Sequence, residues 1–328
     1  MENILSVKNL NKSFGKRKII NDISFDVNGG EIFGFLGPNG SGKTTTIKMI
    51  TGFLFPDSGN ISICGMDLKK NYESAMNLVG AIVENPEMYK ELTGRQNLQM
   101  YARLHDDVSK ERIDEVLTLV GMSQRADEKL KKYSLGMKQR IGVAQAIVHK
   151  PKLLILDEPT NGLDPAGIKE LRDILKKLAH EEGIAVMVSS HMLAEMELMC
   201  DRVAIVNQGR IVDVKTIEEL LNMFVVEESY SIEVFPKDVE SAVKAIFPLI
   251  SSEKDDDLSK NTRSNEPMPI KIKATPENGI INIVVKRELI PSINKKLVEA
   301  NIDVFGIKKI DNSLEEAFIK IVGGGTIA

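Results

Sequence analysis

The sequence predicts an α/β fold: a mostly parallel sheet carrying a helical subdomain, followed by a small α+β domain. Three observations predict it. Short apolar runs at 31–36, 152–156 and 184–188 read as strands buried on both faces. Segments with helical periodicity alternate with them, which implies parallel strands joined by crossover helices on both faces. Between the first run and a following helix lies Gly37-Pro-Asn-Gly-Ser-Gly-Lys-Thr44, a complete phosphate-binding loop in strand–loop–helix context.

The elements follow in order. Residues 2–27 read as strands, with Lys16-Arg17-Lys18 as a solvated hairpin turn between them. Asn28-Gly-Gly30 is a turn before the buried strand at 31–36. Thr45 to Thr51 reads as a helix, and 59–65 and 79–83 as short strands. From about Gly94 to His149 the pattern is helical, with Ile113, Val116, Leu117 and Val120 at helical spacing. Residues 166–181 read as a helix between the strands at 152–156 and 184–188. Right-handed crossovers bring the carboxyl ends of the parallel strands to one edge, where ligands bind.

A composition change near Phe224 divides the chain into domains 1–224 and 225–328, with the helical subdomain at about 85–150. In the second domain, strands are expected at 229–235, 270–274, 280–286 and 304–310, and helices at 239–247, 289–300 and 313–322. Residues 251–269, with Asp255-Asp-Asp257 and two prolines, read as a mobile loop.

The loop's chemistry follows from its residue types. Glycines let the backbone fold tightly so that successive N–H groups point at an anion. The helix behind them adds its positive end. Lys43 supplies a cation for the β- and γ-phosphates, and Thr44 a hydroxyl for Mg²⁺. Gly37, Pro38, Asn39, Gly40, Ser41, Gly42, Lys43, Thr44 and Thr45 are thus the phosphate-site candidates. The second strong signal is Leu153-Leu-Ile-Leu-Asp157-Glu158. An acid at a strand's carboxyl end, here Asp157, can hold Mg²⁺ opposite such a loop, and Glu158 can polarise an attacking water.

Composition excludes other classes. At 328 residues, 42% hydrophobic and 27% charged, the chain is long enough for about two globular domains. A net charge of −4 argues against a nucleic-acid partner. Two cysteines, Cys64 and Cys200, suggest reduced thiols in a reducing compartment. There is no signal-peptide pattern and no apolar run near the ~20 residues that span a bilayer. The chain is expected to be soluble alone and to reach a membrane only through a partner.

Tyr133-Ser134-Leu-Gly136-Met-Lys-Gln139-Arg140, just before the second acid-tipped strand, resembles the signature motif of the ATP-binding-cassette superfamily, with Met137 where a second glycine is usual. The likeness continues in order through Asn161-Gly-Leu-Asp164, similar to the family's dimer-contact loop, and Ser189-Ser-His191, similar to its switch histidine. Phe14 lies where the family places an aromatic that stacks on adenine. The match spans residues 1 to about 222 and implies a P-loop NTPase that binds and hydrolyses ATP with Mg²⁺. It implies that Ser134, Gly136 and Asp164 close on a nucleotide held by a second ATPase subunit, homodimeric or heterodimeric. It also implies a separate transmembrane permease, a position at the cytoplasmic face of the membrane, and a groove at 85–105, with Tyr89, Leu92 and Tyr101, for a helix of that permease.

One position departs: Glu84 stands where the family has glutamine, and is expected to approach Mg²⁺ and the attacking water. Glu84-Asn-Pro86, the signature and the tail Leu314-Glu-Glu-Ala-Phe-Ile together resemble the branch of bacitracin-resistance and lantibiotic-immunity exporters. A second reading is a soluble regulatory or nucleic-acid-associated ATPase. Such members generally carry two cassettes, coiled-coil or zinc insertions, and this chain has one cassette and few cysteines.

Overall fold

In the computed structural model, residues 2–105, 108–220, 228–251 and 272–310 are described. The chain divides into two compact units, residues 1–217 and 218–328.

The first unit contains two sheets. Strands β1 (Asn3–Phe14), β2 (Arg17–Asn28), β4 (Ser58–Ile63) and β5 (Met66–Asp67) form an antiparallel sheet in the order β2-β1-β4-β5. The second sheet has the order β10-β9-β3-β8-β7-β6, from β3 (Ile32–Leu36), β6 (Val79–Ile82), β7 (Leu153–Asp157), β8 (Ala185–Ser190), β9 (Arg202–Asn207) and β10 (Arg210–Thr216). All its neighbours pair in parallel except the β9–β10 hairpin. Every residue of β3, β7 and β8 is buried, as continuous apolar runs in a covered parallel sheet require. Helix α1 (Lys43–Ile50) contributes Ile47, Met49 and Ile50 to a core shared with both sheets, where Phe25 stacks on Phe33 at 5.5 Å between ring centroids.

The helical region resolves into α3 (Gly94–Ala102), α4 (Lys110–Leu119) and α5 (Leu135–Ile147), after a short α2 (Tyr72–Met76). Their starts are set by side chains that satisfy free N–H groups. Thr93 and Gln96 form a capping box on α3, Ser109 caps α4 and Ser134 caps α5. Helix α6 (Pro165–Lys176) is capped by Asp164 and ends in a π-type turn, Lys177–Glu181. Helix α7 (Leu193–Met199) and the β9–β10 hairpin were not anticipated. Their signals were present: Leu193, Met196 and Met199 at three-residue spacing, and an apolar run followed by a turn at Gln208-Gly209, both with positive φ.

The second unit pairs β12 (Ile272–Thr275), β13 (Ile280–Val285), β11 (Glu228–Val234) and β14 (Val304–Ile310) in that order, all antiparallel. Helices α8 (Val239–Ser251) and α9 (Ile290–Glu299) pack on its apolar face through Ala242, Ile246, Ile293 and Leu297. Strand–helix–strand–strand–helix–strand with this order is the split βαβ arrangement. The expected mobile loop at 251–269 and helix at 313–322 lie, but for Ser251 at the end of α8, outside the described residues.

His149, just past α5, stacks on His105 at 4.4 Å and hydrogen-bonds through Nε2 to the Val79 carbonyl at 3.1 Å. Burial, and then the neighbouring His105, lowers its pKa below the ordinary 6.5. The unfolded chain therefore binds more protons than the folded one as pH falls through that ordinary value, and stability is lost on acidification. His149→Gln keeps a donor for the carbonyl without the titration. Between pH 7.5 and 5.5 the melting temperature of the variant is expected to fall less than that of the parent chain.

Candidate functional site

The phosphate loop is fixed by close backbone approach. The Gly37 N–H donates to the Ser190 carbonyl at 3.2 Å, and Gly209 N–H donates to the Ser41 carbonyl at 2.9 Å. A Cβ at Gly37 would stand 2.3 Å from the Val206 carbonyl oxygen. Gly42, at φ 106°, precedes α1, and a Cβ there would stand 2.5 Å from Ile20 Cδ1. The loop is thereby seated on the carboxyl ends of β8 and β9, with the N-terminus of α1 beneath it.

Lys43 is buried, and its ammonium donates to the carbonyls of Gly37 at 2.7 Å and Pro38 at 3.4 Å. It also pairs with Glu158 Oε1 at 3.1 Å. The other oxygen of Glu158 meets His191 Nδ1 at 2.8 Å. Asp157, buried at the end of β7, accepts from Ser189 Oγ at 2.6 Å, and that same hydroxyl oxygen accepts from the Glu158 N–H at 3.0 Å. Glu158 adopts φ 50°, a left-handed backbone that a non-glycine residue holds only where its surroundings over-determine it. The ends of β3, β7 and β8 thus bring a buried cation, two carboxylates and a histidine together.

A cleft of about 460 Å³ opens over this group, lined by Phe14, Asn39, Gly40, Gly42, Lys43, Thr44, Thr45, Glu158, Asn161 and His191, with Arg17 and Ile19. Phe14 is half exposed at its rim. Sequence reasoning missed Ser189 as the tie between the acids, although it stands two residues before His191. It also read Arg17 as part of a solvated turn, whereas Arg17 opens β2 and lines the cleft.

Three candidates stand elsewhere. Ser134 caps α5, accepting from the Met137 N–H at 3.3 Å, and Gly136 lies opposite Gly167 and Leu163. Asp164 caps α6, accepting from the Gly167 N–H at 3.0 Å. None of the three lines the cleft that holds Lys43. Glu84, expected to approach Mg²⁺ and the attacking water, also stands apart from the group around Lys43. It is exposed, lies outside that cleft, and its carboxylate meets Lys48 Nζ on α1 at 2.8 Å. The hydrogen bond from Lys48, and then its charge, hold the Glu84 carboxyl below the usual carboxylate range. Its backbone stands at φ 67°, and Lys48 lies in the last turn of α1.

Comparison with known proteins bears on the same residues. The family model described as "ABC transporter" matches residues 20–161. The chain is 44% identical to the uncharacterized ABC transporter ATP-binding protein YhcH of Bacillus subtilis, covering 98% of this chain and 97% of that one. The chain belongs to the ABC transporter family. It is also 38% identical to the bacitracin transport ATP-binding protein BcrA of Bacillus licheniformis, over 100% of both chains. Among solved structures, cbiO1 of Clostridium perfringens, part of the ABC transporter complex cbiONQ, superposes with a TM-score of 0.64 at 26% identity, covering 76% of this chain and 100% of that one. The chain is therefore an ABC ATP-binding subunit that hydrolyses ATP, as its motifs imply, and the resemblance to the bacitracin-exporter branch holds over the full length. The alternative of an ATPase unconnected with transport gains no support from these relatives.

The two glycines of the loop separate conformation from space. Gly40 has positive φ but open surroundings, whereas Gly42 has positive φ and a crowded Cβ position. Gly42→Ala is expected to weaken ATP binding about tenfold or more, and Gly40→Ala distinctly less. A nucleotide titration of both variants, with circular dichroism to verify the fold, checks the order.

Proposed function

We propose that this chain is the motor subunit of an exporter: two cassettes close head-to-tail on two ATP molecules and drive a separate transmembrane permease. The observation that carries the reading is the linkage of Lys43, Glu158 and His191, with Asp157 beside them, at one edge of the parallel sheet. The likeness to BcrA makes peptide-antibiotic export or resistance the favoured task. Among the described residues no helix is long and apolar enough to cross a membrane. A permease supplied by another chain accounts for that, and attachment through it puts this subunit at the cytoplasmic face of the membrane. The exposed Tyr89 and the partly buried Tyr101, on and beside α3, belong to the groove proposed to receive a permease helix.

The residues fit the nucleotide. The glycine cradle, the buried Lys43 ammonium and the buried Ser41 hydroxyl, which has no hydrogen-bond partner, suit a polyphosphate. Phe14 at the rim suits an adenine ring. Among the described residues no cluster of three His, Cys, Asp or Glu side chains could hold a metal alone. Mg²⁺ needs none, since one or two protein donors suffice for it; Thr44 and Asp157 would hold it here. When bound, the ion neutralises charge on the phosphates.

The protein's own work follows. Lys43 exchanges Glu158 for phosphate oxygens. Glu158, released from that pair, accepts a proton from water as the water oxygen bonds to the γ-phosphorus and the bond to the bridging oxygen breaks, releasing ADP and phosphate; His191, hydrogen-bonded to Glu158, orients it. Ser134, Gly136 and Asp164, away from this chain's own cleft, act on the nucleotide of the second subunit. Ser134 opens a helix whose N–H groups suit an anion.

Glu158→Gln is expected to bind ATP with near-parental affinity while turnover falls about a hundredfold or more. Near-parental turnover in steady-state ATPase measurements would remove Glu158 from the role of base. The composite site has its own test. Subunits carrying Lys43→Ala, mixed with subunits carrying Ser134→Arg, leave one intact site in each heterodimer and none in either homodimer. Mixing is expected to restore ATPase activity. Heterodimers that form, shown by tagged co-purification, and yet stay inactive would overturn the head-to-tail arrangement.

A further inference from the structure

The ends of β7 and β8 are joined a second time, beyond Ser189, by a residue with no part in the chemistry described above. Glu195 lies in the first turn of α7. Its Oε2 accepts from Thr160 Oγ1 at 2.5 Å and, more distantly, from Ser190 Oγ at 3.4 Å. The Ser190 oxygen in turn accepts from the Met192 N–H at 2.9 Å, which leaves its hydroxyl proton free for Glu195. Thr160 and Ser190 are both buried, at 4% and 1% exposure, so neither hydroxyl can turn to water instead. Thr160 stands two residues after Glu158, and Ser190 immediately before His191. One carboxylate oxygen therefore spans the two loops that carry the Glu158–His191 pair.

From this geometry we infer that Glu195 is a positioning residue for ATP hydrolysis. It holds the segment after Glu158 against the segment before His191, and so keeps the two side chains in register. The inference rests on the assignment of Glu158 and His191 to hydrolysis. Its physical basis is the backbone of Glu158. A residue at φ 50° keeps that conformation only under constraint from both sides. On the strand side the constraint is the Ser189 hydroxyl, accepting from the Glu158 N–H. On the loop side the first side-chain anchor after Glu158 is Thr160, and its partner is Glu195. With that anchor gone, residues 158–164 can relax, and Glu158 loses its bond with His191 before it loses its place in the chain. The loop that follows, Asn161 to Asp164, is the one proposed to meet the second subunit, so the same anchor also sets its starting point.

The role requires an acceptor and not a charge, because the hydroxyls do the donating. Glutamine at 195 still presents a carbonyl oxygen to both. Steady-state ATPase kinetics and ATP affinity of the full chain test the idea. Glu195→Ala and Thr160→Val are each expected to lower kcat about tenfold with KM for ATP unchanged within about twofold, since nucleotide contacts lie elsewhere. Glu195→Gln is expected to stay within about threefold of the parent. The double variant Glu195→Ala/Thr160→Val should be no slower than the slower single variant, because both remove the same link. Parental kcat in Thr160→Val, whose side chain has nearly the shape of threonine without the hydroxyl, would overturn the inference even if Glu195→Ala fails to fold. So would full additivity, a loss expressed in KM, or a Glu195→Gln variant as slow as Glu195→Ala. Glu158→Gln, measured in parallel, tests the underlying assignment by itself: if it retains turnover, that assignment has failed whatever Glu195 does.

Discussion

The contact on which the rest of the site depends is the approach of Gly37 to the sheet edge. Its N–H reaches the Ser190 carbonyl, and its Cα lies so near the Val206 carbonyl that no side chain could be added. This wedges the phosphate loop between the carboxyl ends of β8 and β9 before any ligand contact is made. Everything chemical is referred to that position. Lys43 starts α1 because the loop turns there through Gly42, and its ammonium points back at the carbonyls of the residues that were wedged. A loop free to drift could still bind an anion, but it could not hold a lysine within 3.1 Å of an acid carried by a different strand.

Strand order then decides which groups can meet. Strand β8 lies between β3, which leads into the loop, and β7, which ends in the acids. A side chain leaving the end of β8 is thus adjacent to both. Ser189 uses that place to tie Asp157 and the Glu158 backbone together, and His191, two residues on, reaches the Glu158 side chain. The sheet supplies proximity, while hydroxyls and strained backbone supply orientation. The group of Lys43, Asp157, Glu158 and His191 is therefore assembled from the ends of three strands far apart in sequence, with no single segment that could fold it alone.

This explains what was legible in the sequence. Strands buried on both faces announce themselves as apolar runs, and the phosphate loop is a local motif whose meaning comes from the strand before it and the helix after it. Asp157, Glu158 and His191 were legible for the same reason: each follows directly on such a run. Ser189 and Arg17 were not, because a serine or an arginine carries no positional signal until the partner across the sheet is known. Glu84 is a different case. Its place in the chain was read correctly, as the end of a strand before Asn85-Pro86, but the cation it meets is Lys48, on a helix whose facing side no local pattern discloses. In the second unit, the alternating burial of β13 and the amphipathic α9 were readable, while the strand order that makes it a split βαβ layer was not.

The same physics bears on the proposal that Ser134, Gly136 and Asp164 act on a second subunit's nucleotide, since they stand apart from this chain's own cleft. Each occupies a helix start, where side chain and backbone already satisfy one another: Ser134 with Met137, Asp164 with Gly167. Such a start is ordered by its own cap, and its remaining N–H groups suit an anion. Lys43 is the complementary case, a cation sunk in its own loop and open on one side to the cleft. An anionic ligand shared between the two surfaces satisfies both at once. In the proposed head-to-tail pair the nucleotide would itself be the main adhesive, and its hydrolysis would dismantle the interface that made hydrolysis possible.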